Sequence, residues 1–257
     1  MKNPLVPLRF HVFYIKKRTD ITNSVQSAYD IKIYFTLSSF FHTFAPKFLF
    51  GQQDMKITEA LFAGSSTRIS ERPKQKFPEF AFIGRSNVGK SSLINMLCNN
   101  RKLAMTSSTP GKTRLVNHFL INRQWYLVDL PGYGYAKMSM SGRQKLAQMI
   151  RHYINLSPDL TMLFVLIDSR HDIGKTDMDF LMELGEARIP FGIIFTKGDK
   201  LGPVALQNQI EKNRQMILEH WEEMPPYFVS SAESGLGKEE ILGYIGSVLD
   251  NLNGTDK

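Results

Sequence analysis

The stretch Phe80-Ala-Phe-Ile83 followed by Gly84-Arg-Ser-Asn-Val-Gly89-Lys90-Ser91 decides the fold. Four apolar residues in a row read as a buried strand, and the stretch from Lys90 to Leu97 reads as an amphipathic helix. Between them stands the full pattern G-x-x-x-x-G-K-[ST]. Gly84 and Gly89 permit backbone conformations and a close approach that a Cβ would block. The amides of Arg85, Ser86, Asn87 and Val88, with the helix N-terminus, then aim partial positive charge at phosphate oxygens. Lys90 adds a full charge, and the Ser91 hydroxyl can ligate Mg²⁺. Three other glycine-lysine pairs fail the pattern. Gly111-Lys112-Thr113 and Gly174-Lys175-Thr176 have Thr106 and Ser169 where the upstream glycine belongs, and Gly237-Lys238 is followed by Glu239.

Working outward from this loop, apolar runs alternate with helical patterns. Strands are predicted at Val116 to Ile121, Trp125 to Val128, Met162 to Ile167, Phe191 to Phe195 and Tyr227 to Val229. Helices are predicted at Arg143 to Asn155, Asp177 to Ala187, Leu206 to Trp221 and Glu239 to Leu252. The first two of these strands are separated by Asn122-Arg123, which predicts a hairpin. Continuous apolar strands between helices imply an α/β protein with a mostly parallel sheet covered on both faces.

Three more segments lie at predicted strand ends. Asp129-Leu130-Pro131-Gly132 places a carboxylate where it can hold Mg²⁺ through water, and a glycine amide where it can meet a γ-phosphate. Thr196-Lys197-Gly198-Asp199 offers a carboxylate that can accept from guanine N1–H and its exocyclic amine, a donor pair that adenine lacks. The Lys197 stem can lie along base and ribose. Ser230 and Ser231 follow Val229, where a backbone amide can meet the guanine O6.

The ordered set GRSNVGKS, TPGKT, DLPG, TKGD and SSA resembles a translation-factor-class GTPase. The wording TPGKT followed by DLPGYGYA (Asp129 to Ala136) resembles the EngB family, also called YihA or YsxC, of bacterial ribosome-assembly GTPases, over about Met55 to Leu252. The resemblance implies a three-layer phosphate-loop fold with a six-stranded sheet. It implies that Gly84 to Ser91 bind phosphates, that Ser91 and Thr113 bind Mg²⁺, and that Gly111, Lys112, Thr113, Arg114 and Leu115 form a first switch segment. Asp129 to Gly132 would sense the γ-phosphate, Thr196 to Asp199 would read guanine, and Val229 to Ser231 would support the base. Spacing alone leaves Thr109 and Thr113 open for the metal; the family pattern selects Thr113. On this reading Lys90, Thr113 and Gly132 carry the catalysis of GTP hydrolysis, and the role is large-subunit ribosome maturation in the cytoplasm, with a link to cell division and septation.

Two departures from the wider GTPase pattern bear on activity. Thr196 stands where many such proteins have Asn, so one tethering hydrogen bond is altered and modest nucleotide affinity is expected. Tyr133 stands where a water-orienting Gln is found in others, so slow intrinsic hydrolysis is expected. In GTPases that this chain resembles, an asparagine at this place in the loop helps hold a monovalent cation, so Asn87 raises the expectation that K⁺ supplies charge and stimulates hydrolysis.

Composition bounds the rest. The 257 residues, 42% hydrophobic and 22% charged, exclude a fully disordered or fibrous chain. A single cysteine excludes an intrachain disulfide and a cysteine-rich zinc site. The net charge of +8 favours a polyanionic partner. Lys102, Lys112, Arg114, Lys137, Arg143 and Lys145 cluster around the switch segments, with Tyr133 and Tyr135 as candidates for base stacking or loop packing. The expected partners are guanine nucleotide and ribosomal RNA or the assembling large subunit; no DNA is expected, and a monomer is. Residues 1–54 lack glutamate, carry +4, and hold 11 of the 29 aromatic residues. That composition fits a transit peptide or an aromatic membrane-surface arm, the one route to membrane contact. The favoured reading places the start of translation at Met55 and the G domain at 55–257, with 1–54 poorly ordered.

Overall fold

A computed structural model of the chain describes residues 55–104, 115–133 and 139–254. The expectation for 1–54 therefore lies outside the described residues, as do Gly111, Lys112, Thr113, Arg114, Tyr135 and Lys137. Among the described residues the strands are β1 (Ala60–Ser66), β2 (Glu79–Gly84), β3 (Val116–Ile121), β4 (Trp125–Asp129), β5 (Leu160–Asp168), β6 (Phe191–Thr196) and β7 (Tyr227–Val229). The helices are α1 (Lys90–Leu97), α2 (Met140–Leu156), α3 (Lys175–Glu186), α4 (Pro203–Leu218) and α5 (Lys238–Gly254). The sheet order is β1-β3-β4-β2-β5-β6-β7, parallel from β4 to β7 and antiparallel at β1–β3 and β3–β4.

Alternation along the strands sorts the core into two halves. Phe80 and Phe82 of β2, with Phe164 and Leu166 of β5, pack against α1 and α5 through Leu93, Ile94, Leu97, Ile241 and Ile245. Ala81 and Ile83, with Leu163 and Val165, face α2, α3 and α4 through Ile150, Leu181, Leu184 and Ile217. A strand buried on both faces has no polar side to show, which is why β2, β4 and β6 are buried at every position.

The sheet has seven strands, one more than expected. The extra one, β1, lies at the edge, with Leu61 and Phe62 exposed at 47% and 60% and a bulge between Phe62 and Gly64. No apolar alternation announces it. Its pairing is set by tertiary contacts: Asn122 accepts from Thr58 and Glu59 N–H and donates to Lys56 O, and Arg123 pairs with Glu59. The same two residues make the expected hairpin turn, both at positive φ (47° and 56°), closed by Gln124 N–H donating to Ile121 O at 2.9 Å.

At the opposite end of β2 from the glycine loop, Glu79 is 2% exposed and accepts from Tyr153 and Ser157 hydroxyls, each at 2.6 Å, and from Arg72 at 2.8 Å. This ties the C-terminal end of α2 to the first residue of β2. His118 is enclosed beside the cluster, 3.2 Å from Tyr153 Oη and packed edge-on to Tyr126. Burial, then the Arg72 charge, push its pKa down to about 4. An unfolded histidine takes a proton below about pH 6.5 and this one only below about 4, so stability is lost as pH falls across that window. Urea unfolding at pH 7 and pH 5 is expected to show a loss of roughly 2 kcal/mol that is absent in His118→Gln. The buried Cys98 thiol, pushed up to about 12 by desolvation, is inert at neutral pH.

Candidate functional site

Because β4, β2, β5, β6 and β7 are parallel, their C-terminal ends share one edge of the sheet, and the chain departs to opposite sides from β2. The register sets Asp129 level with Phe82, Gly84 with Leu166, Asp168 with Thr196, and Phe195 with Val229. The antiparallel β3 starts at that same edge, Asn117 facing Asp129, which brings Leu115 there as well.

The loop from Gly84 to Ser91 joins β2 to α1 as the sequence predicts. A Cβ on Gly84 would stand 2.8 Å from Leu166 O and 2.9 Å from Val88 Cγ1, so only glycine fits against β5. Asn87 (φ 66°) and Gly89 (φ 105°) take left-handed conformations that turn the loop into the helix. Val88 is buried as the loop's apolar foot, and Ser91 lies on the first turn of α1. Lys90, its side chain 10% exposed, is ion-paired with Asp129, whose side chain is 4% exposed. Asn117 reaches the other Asp129 oxygen at 3.4 Å.

The loop beyond β6 is built against the glycine loop. Thr196 Oγ1 donates to Val88 O at 2.6 Å. The altered tether expected at Thr196 is thus a hydroxyl bond to the glycine loop. Lys197 (φ 62°) extends across the edge to donate to Asn87 O and to Asp168, both at 2.8 Å. Gly198 N–H donates to Ser230 O at 3.0 Å, and Ser230 N–H to Phe195 O at 2.7 Å, which locks the loops after β6 and β7 together. Asp199 then meets Ser231 Oγ at 2.6 Å and Lys200 at 2.8 Å. Those two hydrogen bonds hold its carboxyl below the usual range, so it is an acceptor at neutral pH. Gly237 (φ 80°) lets the following turn press against Val229 O, where a Cβ would sit at 2.2 Å.

Three contributors escaped the sequence reading. Asp168 receives Lys197 and a two-pronged Arg170 (2.9 and 2.8 Å); burial pushes its carboxyl up, but those bonds outweigh it and the net pKa is low. Asn117 steadies Asp129. Asp177, on α3, accepts from Tyr133 Oη at 3.0 Å. A carboxylate closing an apolar run is the signal that would have flagged Asp168; nothing local marks the other two. Tyr133 itself is turned into the protein, its ring 5.0 Å from Phe180, so of the two roles weighed it is loop packing that holds. Lys102, Arg143 and Lys145 are exposed.

A family model described as 50S ribosome-binding GTPase matches residues 79–197. Over 198 residues the chain is 54% identical to the GTP-binding protein EngB of Porphyromonas gingivalis, covering 77% of this chain and 98% of that one. The chain belongs to the EngB family. The EngB protein of Bacteroides fragilis is likewise 54% identical, over 77% of this chain and 99% of its own. A crystal structure of an EngB GTP-binding protein covers 67% of this chain and 98% of that one with a TM-score of 0.55 at 23% identity, a likeness of fold. The α/β sheet is that of a phosphate-loop GTPase, and this EngB-family chain is a GTPase. No helix among its described residues is long and apolar enough to cross a membrane.

Proposed function

We propose that the protein is a guanine-nucleotide switch whose GTP state docks on ribosomal RNA of the assembling large subunit. The observation that carries the nucleotide half is the meeting, on one sheet edge, of the Lys90–Asp129 pair and the Asp199–Ser231 pair, with Lys197 spanning between their loops. On this reading the amides from Gly84 to Ser91 and the Lys90 ammonium hold the phosphates. The Gly132 amide meets the third phosphate, and Asp199 accepts from guanine while Val229 to Ser231 flank the base. Ser91 presents a hydroxyl oxygen, a hard donor that Mg²⁺ takes, Thr113 joins it by family pattern, and the Asp129 carboxylate would hold the ion through water. When bound, that ion would neutralise phosphate charge during hydrolysis. An additional K⁺ would be held with the help of Asn87 in the same loop.

The ribosomal half is supported by the description of the matching family model and by the basic side chains flanking the switch segments. Era, a structural neighbour at 21% identity, has been crystallised with MgGDPNP and nucleotides 1506–1542 of 16S ribosomal RNA. The reading places the protein in the cytoplasm, as a monomeric G domain at 55–257, with a link to cell division and septation by family resemblance.

Titration of the full chain with GDP, a GTP analogue and an ATP analogue in Mg²⁺ is expected to give micromolar guanine binding and no adenine binding. Equal adenine binding would turn the reading toward an ATPase or small-molecule kinase. Hydrolysis is expected to run faster in K⁺ than in Na⁺, equal rates removing the Asn87 cation. Sedimentation with large subunits is expected in the GTP-analogue state and not with GDP.

A further inference from the structure

The residue after the phosphate-sensing glycine is held by unusual means. Leu130 N–H donates to Phe82 O at 3.0 Å and Tyr133 N–H to Gly84 O at 3.1 Å, so Pro131-Gly132 is strung between two bonds to the end of β2. Ser86 N–H returns to Tyr133 O at 3.3 Å, making a bridge between Arg85 and Tyr133. The Tyr133 side chain then crosses to α3, where its ring meets Phe180 and its hydroxyl donates to Asp177 Oδ1. The second oxygen of Asp177 faces Arg85 of the phosphate loop at 3.7 Å. Asp177 is 4% exposed and lies on the first turn of α3 beyond Gly174, where the helix dipole favours an anion. One buried carboxylate thus joins the phosphate loop, the segment after Gly132 and a helix that carries none of the nucleotide motifs.

Burying a carboxylate is costly, and an apolar pair of the same volume would hold α3 equally well. What a carboxylate adds is direction: it fixes the phenol at one point and draws Arg85 to the same point. Burial and the Asp177 charge keep the phenol protonated, so it stays a donor at every working pH.

We propose that Asp177 is a positioning residue for the third phosphate: through the Tyr133 hydroxyl it holds Gly132 against the phosphate loop and so sets the ratio of GTP to GDP affinity. The proposal rests on the nucleotide reading above. GDP has no γ-phosphate to meet Gly132, so loosening the tether acts mainly on GTP.

The test compares GDP and GTP-analogue affinities in the full chain for wild type, Tyr133→Phe, Asp177→Ala and Asp177→Asn. Tyr133→Phe keeps the ring on Phe180 and loses only the hydroxyl. It and Asp177→Ala are expected to weaken the GTP analogue roughly five- to tenfold while GDP moves by less than about twofold. Asp177→Asn keeps an acceptor for the phenol and is expected to keep the ratio within about twofold of wild type. Equal weakening of both nucleotides, or a lowered melting temperature with an unchanged ratio, would mark a purely structural contact and overturn the proposal. Failure of wild type to bind guanine would instead overturn the nucleotide reading.

Discussion

Replacing Lys90 with alanine is expected to abolish measurable GTP turnover and weaken GTP-analogue binding at least a hundredfold. The ammonium sits where β2 delivers it, at the start of α1, and adds a full charge to a ring of backbone dipoles. At a few ångströms and an effective dielectric near that of a protein surface, such a charge contributes about 4 kcal/mol per phosphate contact. A second effect accompanies the first. Lys90 is the ion-pair partner of Asp129, and both side chains are nearly enclosed. Losing one member of a buried pair typically costs 3–5 kcal/mol, so Lys90→Ala is expected to melt at a markedly lower temperature. The double variant Lys90→Ala/Asp129→Asn separates the two effects: it is expected to regain much of the thermal stability and none of the turnover. Unchanged GTP-analogue affinity in Lys90→Ala, with the melting temperature lowered, would mean that Lys90 serves the fold and not the phosphates.

Asp129 is held from two sides, by Lys90 on one carboxylate oxygen and by Asn117 on the other. On the nucleotide reading Lys90 and Asp129 also serve the phosphates and their metal, so fold and function draw on the same two residues.

What the sequence made legible follows from how local each cause is. The glycine loop, α1 and the hairpin at Asn122-Arg123 are dictated by backbone chemistry within a dozen residues, and they stand where the pattern put them. Buried parallel strands are equally legible, because an apolar run has nowhere else to go. Strand β1 was not. It is half solvated, interrupted by Gly64, and held by an asparagine some sixty residues away. The same distance hid Asp177, whose meaning depends on a tyrosine 44 residues earlier in the chain. Thr196 shows a different limit. Read as a departure from asparagine it suggested an altered tether, and only the fold shows which bond the hydroxyl makes, to Val88 O on a loop 108 residues away.

Asp199→Ala is expected to cost at least a hundredfold in GDP and GTP affinity and to erase discrimination against adenine. Its carboxylate has four acceptor sites and uses one for Ser231 and one for Lys200, which leaves room for the two donors on the guanine edge. Both partners hold the group ionised, and hydrogen bonds to an ionised acceptor are roughly twice as strong as neutral ones. Ser231 is itself fixed, its hydroxyl accepting from Glu233 and Ser234 N–H at 3.2 Å, so the carboxylate is aimed before any base arrives. Asp199→Asn makes the sharper measurement. An amide there can donate where the carboxylate only accepts, and xanthine carries a carbonyl where guanine carries its exocyclic amine. The variant is therefore expected to lose GTP and gain XTP, read by competition titration with the fold held constant. Retention of GTP preference in Asp199→Asn would mean that the carboxylate is a turn-stabilising group and that the base is read elsewhere on the edge.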